Sequence, residues 1–337
     1  MTEASPRLSE RLLAGERRAL ARAISWSENG DARFQGLLSE VWDRVGRARR
    51  VGVTGPPGAG KSTLVDQMVG QLRAAERSVG VLAIDPSSPF SGGALLGDRI
   101  RMEERTGDDG VFIRSMASRG SHGGLSRSAV DALDVMDAFG LEELCVETVG
   151  VGQAEYEVVS AADTVLVVLC PGGGDGIQAM KAGILEVADV LVVNKADRPG
   201  ADRLVLELED AVHTREVRRD SGWVVPVVSC SAGKGQGVEG VLEAMDAHRA
   251  WCAEHGLNQL RARKRSEQVR RVAQALLDSA LWERGGWRER VESELASGRT
   301  PYDVARAVAS QVLGMGSDAG SNEAESGLRS QERAVQP

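Results

Sequence analysis

The octapeptide Gly55-Pro56-Pro57-Gly58-Ala59-Gly60-Lys61-Ser62 stands between a β-branched run, Val51–Thr54, and a helix-forming segment, Ser62–Leu72. Its G-x-x-x-x-G-K-S spacing, after a strand and before a helix, is the pattern of a phosphate-cradling P-loop. Glycines let successive backbone N–H groups turn toward phosphate oxygens, and the helix N-terminus adds partial positive charge. Lys61 is placed to reach the β- and γ-phosphates, and the Ser62 hydroxyl to ligate Mg²⁺. Thr63, next along the helix, joins the expected nucleotide contacts.

Outward from this loop, from Arg49 to about Met245, short Val/Ile-rich runs alternate with helical stretches. Strands are predicted at Val51–Thr54, Val79–Asp85, Val111–Arg114, Leu144–Thr148, Thr164–Leu169, Val190–Val193 and Val224–Val228. That alternation predicts an α/β fold, a P-loop NTPase with a mostly parallel sheet flanked by N-terminal and C-terminal helical extensions. Residues 1–48 carry helical periodicity (Leu12, Leu20, Ile24, Leu37, Val41), with a break at Asn29-Gly30. Past Trp251 the strands stop, and Gln259–Trp282, Trp287–Leu295 and Pro301–Leu313 read as amphipathic helices. The expected organisation is an extension over 1–48, a nucleotide domain over 49–250, a helical module over 251–313 and a disordered tail over 314–337. The tail is Gly/Ser/Glu-rich and has too few apolar residues to offset the entropy of ordering. The basic run Arg261-Ala262-Arg263-Lys264-Arg265 is expected to form a solvated helix face.

Four further strings stand at predicted strand ends. Asn194-Lys195-Ala196-Asp197 follows Val190–Val193 and has the N-K-x-D form of a guanine reader. A carboxylate at Asp197 accepts both the ring N1–H and the exocyclic amine of guanine, donors that adenine does not present together, so GTP and GDP are favoured over adenine nucleotides. Ser231-Ala232-Gly233 resembles the loop whose backbone meets the guanine O6. Glu147-Thr148-Val149-Gly150 sits where D-x-x-G is common, the acid serving Mg²⁺ and the Gly150 N–H sensing the γ-phosphate. Asp85 opens the stiff turn Asp85-Pro86-Ser87-Ser88-Pro89 and brings a second carboxylate toward the metal. Ligands bind at the carboxyl edge of such a sheet, and all five elements begin there.

Composition narrows the class further. The 337 residues carry 41 Lys+Arg against 49 Asp+Glu, a net charge of −8, which argues against a nonspecific nucleic-acid binder. With 42% apolar residues the chain fills one large or two modest domains. Its longest central apolar run, Val165–Cys170, is too short to span a membrane, and the N-terminus has no secretory layout, so a cytoplasmic protein is expected. Cys145, Cys170, Cys230 and Cys252 are far apart and read as reduced thiols.

Taken together, Gly55–Ser62, Asp85–Pro89, the Gly97-Asp98-Arg99-Ile100-Arg101-Met102 stretch, Glu147–Gln153, Pro171–Gln178 and Asn194–Asp197 resemble the MeaB/ArgK family, the methylmalonyl-CoA mutase-associated GTPases. The likeness runs over roughly residues 8–313. It implies a GTPase that is homodimeric through its C-terminal helices and docks on an adenosylcobalamin-dependent acyl-CoA mutase. There it would gate cofactor loading and help clear damaged cofactor, the cobalamin belonging to the mutase. The family's metal-site acids match Asp85, Asp98 and Glu147, beside Ser62. Its third switch corresponds to Cys170–Lys181, with Asp175 and Lys181, and Ala182 stands where many relatives carry a second lysine.

Three other readings compete. A nickel-type metal-insertion GTPase usually displays His-rich or paired-Cys motifs, and this chain has four dispersed histidines. A transport-associated, ATP-dependent kinase sits poorly with N-K-x-D. A nucleotide-binding scaffold would bind its partner without releasing phosphate.

Many GTPases place a water-orienting glutamine directly after the switch glycine; here Gly150 is followed by Val151, with Gln153 two positions further on. Valine cannot orient water, so hydrolysis by the chain alone is expected to be slow and to accelerate when a partner orders the site. Phosphate release from GTP by the purified protein measures this, and rapid turnover without a partner removes the basis of the expectation.

Overall fold

Seven runs form strands: β1 (Arg49–Thr54), β2 (Val79–Pro86), β3 (Val111–Ser118), β4 (Glu143–Glu147), β5 (Thr164–Leu169), β6 (Val190–Val193) and β7 (Val227–Ser229). The structure is a computed structural model and describes residues 6–86, 105, 107–118, 124–148, 162–172, 186–216, 222–284 and 286–312. Among the described residues the α-helices are α1 (Leu8–Leu13), α2 (Arg17–Glu28), α3 (Arg33–Val41), α4 (Lys61–Ala74), α5 (Gly124–Phe139), α6 (Ala201–Glu216), α7 (Val238–His255), α8 (Leu257–Asp278), α9 (Trp287–Ala296) and α10 (Pro301–Val312). The chain divides into two compact units, Met1–Gln268 and Val269–Pro337.

In the first unit the strands form one sheet in the order β3-β2-β4-β1-β5-β6-β7, and every pairing is parallel. Parallel strands buried on both faces read as unbroken apolar runs, and β4, β5 and β6 are buried at every position. Successive side chains take opposite faces. Leu166 and Val168 of β5 join α4 and α7 in one core, whereas Val165, Val167 and Leu169 join α6 in another. A third core packs α1, α2 and α3 against α5 and strands β2 and β4. The first forty-eight residues therefore share their apolar interior with the nucleotide unit: Ala19, Leu20, Ala23 and Ile24 of α2 are all fully buried.

The last strand differs from the sequence expectation, β7 being Val227–Ser229 in place of Val224–Val228. Pro226 has no N–H to give a ladder, so only its carbonyl pairs, accepting from Leu191 N at 2.9 Å. Upstream, the Trp223 indole donates to Asp189 O at 2.9 Å and Val224 is left exposed.

The amino edge of the sheet is held by buried charge. Asp131, Asp134 and Asp137, three residues apart on α5, share one face of that helix and are all buried. Asp137 accepts the backbone N–H groups of Gly46, Arg47 and Ala48 at 2.8, 3.1 and 2.9 Å. Arg50 Nη2 on β1 donates to Asp134 and Asp137, both at 2.8 Å. Burial disfavours the Arg50 charge, but the two carboxylates outweigh it and the guanidinium pKa is raised.

The basic run at the start of α8 is not a solvated face. Arg261, Lys264 and Arg265 recur at i, i+3 and i+4, so they share one side of the helix, and that side meets the unit's carboxylates and carbonyls. Arg261 pairs with Asp163 and bonds Gly46 O and Ala48 O; the Lys264 ammonium donates to Ala162 O; Arg265 donates to both oxygens of Asp134 and lies over the Trp42 ring. Burial pushes the Lys264 pKa down, against the pull of Asp163 and Asp189.

In the second unit, the end of α8, a π-helical turn (Ser279–Arg284), α9 and α10 surround an apolar cavity of about 440 Å³. Leu277, Trp282, Val291, Leu295, Val304 and Val308 line it. All four cysteines are free thiols. Burial lifts Cys145 to about 12, with help from Glu143 and Glu147, and lifts Cys230 and Cys252 to about 11.

Removing a carboxylate from the buried Arg50 cluster strands both a charge and backbone donors. Asp137→Ala is expected to cost about 3 kcal/mol or more of folding stability in urea titration. Glu207→Ala, which breaks the exposed pair with Arg203, is expected to stay within about 0.5 kcal/mol.

Candidate nucleotide site

The carboxyl ends of β1, β4, β5, β6 and β7 meet along one edge, as a parallel sheet requires. The chain leaves β1 through Gly55 at φ 136. A Cβ on that residue would lie 2.0 Å from Val168 O, so only glycine lets the loop cross β5 at this distance. Gly60, at φ 90, caps α4. A Cβ there would meet the Asn194 amide nitrogen at 2.4 Å.

Lys61 is buried, and its ammonium donates to Gly55 O at 2.9 Å and Pro56 O at 3.1 Å, closing the side chain over its own loop. Ser62 is buried beside it and donates to Glu147 Oε1 at 2.6 Å. Glu147 ends β4, which lies beside β1 with Val53 opposite Glu147. One residue on, the Thr148 N–H donates to Val53 O at 3.1 Å, and its hydroxyl donates to the Thr54 hydroxyl at 3.0 Å. A hydroxyl and a carboxylate in contact at a helix N-terminus form an all-oxygen donor set, which suits a hard cation such as Mg²⁺.

Asn194, also buried, joins three loops. Its N–H donates to Leu169 O, and its amide nitrogen donates to Ala59 O at 2.9 Å and Gly60 O at 3.3 Å on the P-loop. Its Oδ1 accepts from Lys195 N at 2.8 Å and Ala232 N at 3.0 Å. The Cys230 thiol also donates to this oxygen, at 3.6 Å. Lys195 takes the left-handed conformation, at φ 58, and its ammonium donates to Gly58 O at 2.6 Å. Asp197 N donates to Ser231 Oγ at 3.1 Å. The Asp197 carboxylate faces the Lys234 ammonium at 2.9 Å; Lys234, and after it Ser231, hold its pKa below the usual carboxylate value.

Lys61, Ser62, Glu147, Asn194, Lys195, Asp197, Ser231 and Ala232 thus stand on one edge. Asp85, next to last in β2, lies opposite Ala117 of β3, which puts its backbone on the same edge. Asp98, Gly150, Gln153, Asp175 and Lys181 lie outside the described residues. So do Val151 and the tail from 314 onward. The sequence reading missed Thr54, Cys230 and Lys234. Thr54 and Cys230 are ordinary core-compatible residues at strand ends, and Lys234 follows the third residue of the Ser231-Ala232-Gly233 string, where no spacing rule singles it out.

A parallel sheet, a glycine-bounded phosphate loop and an N-K-x-D loop tied together at one edge define a P-loop GTPase. The chain belongs to the family described as methylmalonyl Co-A mutase-associated GTPase MeaB, whose model matches residues 20–285. A putative GTPase of Pyrococcus abyssi is 42% identical over 314 residues, covering 92% of this chain and 97% of the relative. GTPase ArgK of Escherichia coli K12 is 37% identical over 269 residues, covering 77% and 81%. The mitochondrial methylmalonic aciduria type A homolog of Mus musculus is 36% identical over 256 residues, covering 71% and 61%. A crystal structure named LAO/AO transport system kinase superposes with a TM-score of 0.69 at 27% identity, covering 91% of this chain and 96% of that one.

Because Asn194 spends its amide on three loops, Asn194→Ala is expected to lower stability by about 2 kcal/mol and to weaken GDP binding about tenfold or more. Thermal unfolding and calorimetry read the two effects.

Proposed function

We propose that this GTPase binds GTP and GDP through Gly55–Thr63, Asn194, Lys195, Asp197 and Ser231–Gly233, and regulates an adenosylcobalamin-dependent acyl-CoA mutase, most simply methylmalonyl-CoA mutase. It would dock on the mutase in the cytoplasm and gate the loading of intact cofactor, the cobalamin being held by the mutase. The observation that carries the nucleotide part is the Asn194 bridge, which fixes the phosphate loop to the base-reading loops. The partner rests on the family description and on the names of the relatives.

The chemistry follows from the donors present. Lys61 offers charge to the β- and γ-phosphates, and the α4 N-terminus offers its backbone N–H groups. Ser62 and Glu147 would hold Mg²⁺, with Asp85 and Asp98 as further acids; the cation would neutralise charge on the transferring phosphoryl group. Asp197 would read the purine, since guanine offers its carboxylate the N1–H and 2-amino donors that adenine does not present together. Gly150 would sense the γ-phosphate, and Gln153, Asp175 and Lys181 would belong to the switches that report it to the mutase.

Homodimerisation is proposed through the C-terminal helices. Its support is apolar: the cavity of the second unit is lined only by nonpolar residues, and Leu276, Leu277, Trp282 and Leu295 are each more than a third exposed. Such surface is rare on a stable monomer. Among the described residues no helix is long and apolar enough to cross a membrane.

The deciding experiment measures phosphate release from GTP with and without each acyl-CoA mutase of the same genome. Stimulation by one mutase, lost in Lys61→Ala with folding intact, is the expected result. Asp197→Ala is expected to weaken GDP about 10²-fold while leaving ADP unchanged. No stimulation by any mutase overturns the partner, and equal binding of GDP and ADP by the unaltered protein overturns the nucleotide.

A further inference from the structure

The carboxylate read as the guanine selector is already engaged. Asp197 Oδ2 lies 2.9 Å from the ammonium of Lys234, a residue from the neighbouring loop. The backbone around the pair is fixed on both sides. Lys234 closes the 3₁₀ turn Ala232–Lys234, where its N–H donates to Ser231 O at 2.8 Å. The turn is locked by the two-way bridge between Ser231 and Gln236 and by Ala232 N on Asn194 Oδ1. Opposite it, Ala196 N donates to Cys230 O at 3.0 Å and Asp197 N to Ser231 Oγ. The lysine is thus tethered within reach of this carboxylate, with its side chain more than half exposed, so water can replace the pair at small cost.

Guanine presents two N–H groups to such a carboxylate, one for each oxygen, and a cation on one oxygen stands in the place of one of them. We propose that Lys234 is a base-specificity residue: it occupies one oxygen of Asp197 as a surrogate donor and competes with the N1–H and 2-amino pair of guanine. The inference rests on the guanine reading of Asp197. It sets a direction. A purine that offers both donors must displace the ammonium, whereas hypoxanthine, which offers N1–H alone, can take the other oxygen, Oδ1, and leave the ammonium in place on Oδ2. Lys234 therefore narrows the gap between guanine and hypoxanthine nucleotides and keeps guanine nucleotide exchangeable.

Lys234→Met keeps the aliphatic stem and removes the charge. Calorimetric titration of the full chain with GDP, IDP and ADP tests the proposal, with thermal unfolding as a check that the variant is folded. An exposed pair of this kind predicts that the variant binds GDP about two- to fivefold more tightly, that IDP changes by less than about 1.5-fold, and that ADP stays weak. The GDP gain is also expected to shrink as salt is raised, because screening weakens the competing pair. Unchanged or weaker GDP binding, or an equal gain for GDP and IDP, overturns the role of Lys234 while leaving guanine selectivity standing. If neither protein prefers GDP to ADP, the guanine reading fails and the proposal falls with it.

Discussion

Asn194 is the interaction on which the site depends. A single buried amide donates to two P-loop carbonyls and accepts from the two loops that follow β6 and β7. Those partners are far apart in the chain and adjacent only at the sheet edge. Because the amide's donors and acceptor are all used, no loop can shift without leaving a buried polar group unpaired. Gly60 belongs to the same constraint: a side chain there would occupy the place of the amide nitrogen. The P-loop and the N-K-x-D loop are held to one another by a single side chain, and a site built from pre-tied loops has a lower ordering cost of binding.

The two edges of the sheet divide the work. At the carboxyl edge, polar groups meet at helix N-termini and loop carbonyls and can exchange partners with a ligand. At the amino edge, Asp134, Asp137 and Arg50 are buried and pair with one another, with backbone N–H groups and with Arg265 of α8. Buried charges of this kind add little net stability compared with apolar packing, yet removing one partner is expensive. They specify geometry: within the first unit, Arg261 and Arg265 tie the first turns of α8 to Asp163 and Asp134. Ala162 and Asp163, which these side chains and Lys264 hold, directly precede β5, a central strand beneath the phosphate loop.

The chain itself determined the sheet, the phosphate loop and the N-K-x-D loop, because each is a local matter. Continuous Val/Leu/Ile runs bury on both faces as parallel strands, and Gly55, Gly58 and Gly60 supply the positive φ values that the loop needs. Pro226 was a local signal too, and it moved β7 toward Val227–Ser229. What only the tertiary structure decided depends on the other end of each contact. The run Arg261–Arg265 has the spacing of a solvated face, and it becomes an anchoring face because Asp134 and Asp163, more than ninety residues upstream, lie against it. Lys234 is one more polar residue in a turn until the fold sets it 2.9 Å from Asp197. Periodicity and motif spacing describe a residue's own element; which charge is paired, and with what, is fixed only when distant elements pack.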